Sequence, residues 1–173
     1  MIDGNLDEAD WLNAREITKY YESLPYTLND ASGSQKVLVL EDEKGIYLGF
    51  ISYQANETIR TQKHQRDDEM ANADMVGVSI DFDGDGLLSY GFSISAGGSI
   101  LDNVVRNENE VNYDWDSDWG YGVSIDGDAW YAEMFIPWSV APMKAQTGEK
   151  RKVKLSFYRW LRGDFKVYTT IKG

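Results

Sequence analysis

The sequence has no cysteine, one histidine and three prolines in 173 residues. Without cysteine there is no disulfide, no zinc-thiolate site and no thiol nucleophile, so burial of apolar surface must hold the chain together, and its length suffices for that. The single histidine, His64, lies in the charged run RTQKHQRDDE and reads as part of a solvated loop. Basic residues are scarce as well. There are 17 Lys and Arg against 29 Asp and Glu, and 17 − 29 gives a formal charge of −12. Nucleic acid and anionic membrane are bound by neutralising phosphates with Lys and Arg, so this balance argues against both and leaves neutral ligands, cations or basic surfaces. No apolar run approaches the length of a membrane-crossing helix, which argues against direct membrane insertion. The opening MIDGNLDEADW has neither a basic nor an apolar signal region, so an exported form would have lost its signal.

What the chain does have is alternation. KVLVL (36–40) and IYLGFISY (46–53) flank EDEKG, YGVSI (121–125) and AWYAEMFI (129–136) flank DGD, and KVKLSFYRWL (153–162) and FKVYTTI (165–171) flank RGD. Each pair reads as a β-hairpin, and in the second pair Trp130, Ala132, Met134 and Ile136 share a face. A fourth hairpin puts Val76, Val78, Ile80 and Phe82 on one face before its turn and Leu88, Tyr90, Phe92 and Ile94 on one face after it. The expected fold class is all-β, an antiparallel β-sandwich in one domain spanning 1–173. Helix is confined to short pieces, the best being LDEADWLNAREI near the N-terminus, with Leu6, Trp11 and Ile17 directed inward. Residues 97–119 read as the one long irregular stretch.

The turn of the fourth hairpin is DFDGDG (81–86). Asp81, Asp83 and Asp85 match the first half of an EF-hand calcium loop, with Gly86 at its turn, but the place of the bidentate glutamate is Phe92, so the EF-hand fails. Two readings remain. Asp-Gly pairs suit a hairpin turn, because such turns need positive φ. Three neighbouring carboxylates also suit a different calcium site that would offset their repulsion.

A second cluster, VNYDWDSDW (111–119), places aromatic residues in a polar setting unlike a core strand. Flat rings of Tyr113, Trp115 and Trp119 suit the apolar C–H faces of a pyranose, and Asp116 and its neighbours suit its hydroxyls. The competing reading makes Trp115 or Trp119 an anchor for a long loop. Enzyme signals are missing: there is no E-x-D-x-x-E strand motif, no G-x-S-x-G, no phosphate loop and no histidine cluster, so a non-catalytic module is expected.

The segments IDGNLDEADW (2–11), KVLVLEDEKGIYLGF (36–50), DMVGVSIDFDGDGLLSYGFSIS (74–95), YDWDSDW (113–119) and GDAWYAEMFIPWSV (127–140) resemble, in order and spacing, the family 9 carbohydrate-binding modules. The likeness is strongest to the family-9-like domain at the N-terminus of many exported or outer-membrane bacterial proteins. The resemblance implies a β-sandwich related to the DOMON group, structural calcium, a poly- or oligosaccharide partner, a monomer, and an extracellular, periplasmic or outer-membrane setting, as one domain of a longer protein. Three places depart from the family's sugar clamp. Its tryptophan corresponds to Ala71, its strand glutamate to Gly77 and its arginine to Ser93. Their loss leaves open an interaction domain with no ligand of its own. Some DOMON relatives hold haem through Met, His or Lys, which makes Met70, Met75, Met134 and His64 the residues of that further alternative.

Overall fold

Where the sequence alternates, the backbone pairs. The computed structural model describes residues 1–69, 71–145, 148 and 150–171. Within them lie β1 (Arg15–Ile17), β2 (Tyr21–Leu24), β3 (Gln35–Glu41), β4 (Gly45–Tyr53), β5 (Met75–Asp81), β6 (Leu88–Ser95), β7 (Ile100–Arg106), β8 (Glu110–Asn112), β9 (Gly120–Asp126), β10 (Ala129–Pro137), β11 (Lys154–Leu161) and β12 (Lys166–Thr169). They form a five-stranded sheet, β1-β3-β4-β10-β9, and a seven-stranded sheet, β2-β12-β11-β5-β6-β7-β8, every pair antiparallel. The β-sandwich read from the alternation is the fold observed.

Period-two burial fills the space between the sheets. The five-stranded sheet contributes Ile46, Leu48 and Phe50 from β4 and Trp130, Ala132, Met134 and Ile136 from β10; the other contributes Val76, Val78, Ile80, Phe92, Ile94 and Phe157. Phe50 and Phe157 meet edge to face across the gap, with ring centroids 6.0 Å apart. One cation lies in this layer. Arg159 is fully buried, and it donates to the Ser34 and Tyr53 carbonyls and to Gln54 Oε1 at 2.9 Å. The Gln54 amide in turn donates to buried Asp74 at 2.8 Å. Burial pulls the Arg159 guanidinium down to about 10, because desolvation opposes its charge more than distant Asp74 supports it.

Two expectations need correction. Of LDEADWLNAREI only Ala9–Asn13 is helical, as a short 3-10 turn, and after Ala14 the chain enters β1. Leu6 and Trp11 pack on the outer face of the five-stranded sheet, against Gly49, rather than in the core. The stretch 97–119 is not irregular throughout, since β7 and β8 occupy much of it. Buried Asp102 sits on the inward face of β7 and interrupts the apolar period that would have marked a strand.

The two most distinctive sequence segments meet in space. Glu133 Oε2 accepts the backbone N–H of Asp3 at 2.8 Å and of Gly4 at 3.2 Å, so the ending E-x-x-IPW holds the start IDG. Gly4 has φ +91° and passes so close to Val123 that a Cβ would stand 2.4 Å from its nitrogen; only glycine fits there. Burial raises the Glu133 carboxyl above its ordinary value, outweighing the two N–H bonds that favour its charge.

Candidate functional site

Segment 113–119 closes one side of the sandwich between β8 and β9. Trp119 is 7 % exposed and packs edge-on to Phe92 at 5.5 Å, while half-buried Trp115 leans on Tyr90 at 5.0 Å and Phe92 at 5.9 Å. Polar contacts fix the same loop. The fully buried Asp102 carboxylate accepts three bonds from Arg66, at 2.7, 2.9 and 3.1 Å, the Ser117 N–H at 3.0 Å and Trp119 Nε1 at 3.4 Å. Asp116 is exposed but lies 2.8 Å from Arg66 Nε. Of the expected platform residues, therefore, Trp119 offers no ring face to solvent, Trp115 offers part of one, and Asp116 is engaged in holding the loop. The competing reading, a loop anchored by tryptophan, matches this geometry.

DFDGDG forms the β5–β6 turn, with Gly84 and Gly86 at φ +69° and +81°. Asp81 accepts the backbone N–H groups of Gly84 and Gly86, each at 2.7 Å, and of Asp83 at 3.2 Å. Asp83 accepts the Lys144 N–H at 2.9 Å and Arg151 Nη1 at 3.0 Å. Asp85 accepts the Leu87 N–H and the Lys144 ammonium. Among the described residues the three acids whose oxygens all approach within 4.8 Å are instead Asp67, Asp102 and Asp116, with the Arg66 guanidinium already among them. In this turn the carboxylates of Asp81, Asp83 and Asp85 accept N–H groups, and the charges of Lys144 and Arg151 offset their repulsion.

The haem alternative divides across a sheet. Met134 points into the core from β10, whereas Met75 alternates with inward Val76 and so lies on the outer face of β5; the two cannot share one iron. His64 sits in the loop, its N–H bonded to Ser99 Oγ at 3.0 Å, and Met70 lies outside the described residues.

The outer face of the seven-stranded sheet carries a different constellation. Tyr158 on β11 stands opposite Gly77 on β5, which pairs with Ser93 on β6. A Cβ on Gly77 would lie 2.4 Å from Tyr158 Cζ, so the missing side chain is what lets the ring lie across β5 and its hydroxyl bond that of Ser93. The next row, Ser156, Ser79, Gly91 and Asn103, is a floor of small and polar groups across four strands. Asn103 lies over Gly91, where a Cβ would come within 2.6 Å of its Oδ1. Tyr113 donates to Glu69 at 2.7 Å; burial first, and then Glu69, pushes its phenol above the ordinary range, and the nearby Tyr158 phenol acts in the same direction. Arg162 lies 4.0 Å over the Trp160 ring and donates to the carbonyls of Ala71 and Glu69.

Of the three departures, Gly77 and Ser93 therefore lie against Tyr158, and the Ala71 carbonyl is held by Arg162. Sequence reasoning missed Tyr158, Trp160 and Asn103. The signal was present in KVKLSFYRWL, where alternation sets Tyr158 and Trp160 opposite the core residue Phe157.

No protein-family model matches this chain, and no curated protein does either. Solved structures do. A putative carbohydrate-binding protein from Bacteroides uniformis aligns over 92% of this chain and 78% of its own, with 14% identity and a TM-score of 0.66. A family 9 carbohydrate-binding module from Caldicellulosiruptor kristjanssonii, solved with cellotriose, aligns over 98% of this chain and 77% of its own at 12% identity and a TM-score of 0.62. A structure of a family 9 module from the same organism with glucose gives 15% identity and a TM-score of 0.57, over 98% of this chain and 79% of its own. The chain thus has the fold of the family 9 carbohydrate-binding modules.

Proposed function

We propose that this domain is a non-catalytic carbohydrate-binding module that takes a neutral poly- or oligosaccharide on the outer face of its seven-stranded sheet. The observation that carries the reading is the Tyr158 ring laid across Gly77 beside the floor of Ser156, Ser79, Gly91 and Asn103. A ring of this kind suits the C–H face of a pyranose, and the serine hydroxyls and Asn103 amide supply both donors and acceptors for its hydroxyls. Two observations support it: similar folds were solved with cellotriose and glucose, and a charge of −12 disfavours anionic ligands. Trp115 and Trp119 serve the site indirectly by holding segment 113–119, and with it Tyr113, in place. Among the described residues no helix is long and apolar enough to cross a membrane, and a glycan ligand fits a setting outside the cytoplasm.

The test is a floor-filling substitution. Ser79 is half-buried on the outer face, so Ser79→Trp would cover the row of small side chains without entering the core. On an array of neutral glycans the variant should lose the binding of the parent while melting within about 2 °C of it. Unchanged binding by both Ser79→Trp and Asn103→Ala would overturn the placement.

A further inference from the structure

The other sheet carries a cavity of its own. Between the N-terminal segment and the outer face of the five-stranded sheet lies a space of about 340 Å³. Its floor is a cross-strand row in which Leu40 of β3 pairs with Tyr47 of β4, and Tyr47 with Phe135 of β10. Tyr47 stacks on the Phe135 ring at 4.7 Å and donates its hydroxyl to Asp42 at 3.2 Å, which fixes the ring at the cavity wall. Ile2 and Trp11 close the opposite side, with Trp11 Nε1 donating to Glu8 at 3.2 Å.

The lining is acidic. It holds the carboxylates of Glu8, Asp10, Glu41, Asp42 and Glu133, no lysine or arginine, and Met1, whose α-ammonium bonds Glu8 at 2.8 Å; formally, −5 + 1 gives −4. Asp10 and Glu41 are exposed and form no ion pair among the described residues. Glu133 is the informative member. It is 2 % exposed, its Oε2 accepts the Asp3 and Gly4 N–H groups, and among the described residues no donor reaches Oε1. A buried carboxylate oxygen calls for a donor, and here the cavity is the side from which one can come.

A compact metal ion does not suit this lining. Such an ion gathers several carboxylate oxygens around itself, and among the described residues the acids whose oxygens all lie within 4.8 Å of one another are Asp67, Asp102 and Asp116, at β7 of the other sheet. Carboxylates spread around aromatic and aliphatic walls suit an organic cation instead, whose stem packs on apolar groups while its charge meets ring faces and acids. We infer that this cavity binds a primary ammonium group on an aliphatic stem, the chemistry shared by a lysine side chain and a free diamine. The stem packs against Ile2, Leu40 and Tyr47, and the ammonium supplies the donor that Glu133 Oε1 lacks. The Met1 ammonium on Glu8 is a group of the same chemistry, and at 91 % exposure Met1 caps the rim rather than filling the cavity. The site lies on the opposite sheet from the proposed sugar face and does not rest on it.

Titration calorimetry at low salt with cadaverine, and with a Gly-Lys-Gly peptide blocked at both ends, tests this. The parent should bind at least one of them at one site per chain, and Asp10→Asn with Glu41→Gln should weaken that binding at least about 10-fold without lowering the melting temperature. Tighter binding of the peptide identifies the source of the ammonium as a lysine side chain, and tighter binding of cadaverine a free diamine. Glu57→Gln with Asp126→Asn removes the same charge beside the β9–β10 turn, at the other end of the sheet, and should leave the affinity unchanged. Equal losses in the two double variants would overturn the inference, because binding would then follow overall charge rather than the cavity. Failure of the parent to bind either probe, or equal binding of uncharged pentanol, would overturn it as well.

Discussion

Replacing Trp119 with alanine separates a ligand platform from a structural anchor. The ring is 7 % exposed, lies edge-on to Phe92 at 5.5 Å and bonds Asp102 through Nε1. Truncating a tryptophan so enclosed costs about 3–5 kcal/mol, from lost transfer energy and the cavity left behind. For a domain of this size each kcal/mol lowers the melting temperature by about 2–4 °C, so Trp119→Ala should melt about 6–20 °C below the parent. Trp115, half-buried against Tyr90, should cost about 1–2 kcal/mol. Differential scanning calorimetry measures both, and a urea titration should show a lower midpoint at unchanged slope. Measured at a temperature where the variant is folded, its glycan affinity should stay within a few-fold of the parent. A variant that melts within about 2 °C of the parent yet loses glycan binding would refute the reasoning, because the ring would then belong to the ligand and not to the core.

Glu133→Ala should cost about 1.5–3 kcal/mol, since it leaves the Asp3 and Gly4 N–H groups without their charged acceptor, and limited proteolysis should then cut the N-terminal segment first. Glu133→Gln keeps an acceptor and removes the charge. Because the Glu133 pKa is raised in the fold, its contribution weakens as pH rises from about 4.5 through the folded value, so the glutamine variant should lose that part of the decline in stability with pH. For DFDGDG, excess calcium should leave the melting temperature unchanged, and Asp83→Asn with Asp85→Asn should lower it by detaching Arg151 and Lys144; calcium-induced stabilisation of the parent alone, with binding heat in calorimetry, would restore a metal site there.

The long strands were legible because both sheets bury one face and alternation records which one. Trp130, Ala132, Met134 and Ile136 all lie where period two puts them. β7 escaped notice because its inward face carries Asp102, whose charge is paid for by Arg66, a residue remote in sequence. The N-terminal helix was expected from apolar spacing, yet Leu6 and Trp11 obtain their burial from the back of a sheet, which asks for no helical period. At the site, Gly77 and Ser93 were legible as losses from a familiar clamp. What takes their place was not, because the contact between Tyr158 and Gly77 depends on the register of β11 against β5, a long-range pairing that no local pattern encodes. The tryptophans of 113–119 looked like a platform because polar neighbours suggested solvent, whereas Asp116 pairs with Arg66, Asn112 accepts the Asp114 N–H, and the Ser117 N–H is held by Asp102.

The Glu133 clasp has a consequence for attachment strength. The N-terminal segment lies against the back of the five-stranded sheet at Gly49 and Val123, so under the proposed function one copy would present one sugar face, on the other sheet. Durable retention on a glycan surface would then require repetition, either of this domain or of another binding unit tethered to it, where a linker of matched length turns the second encounter into an intramolecular one and multiplies the residence time without any new contact.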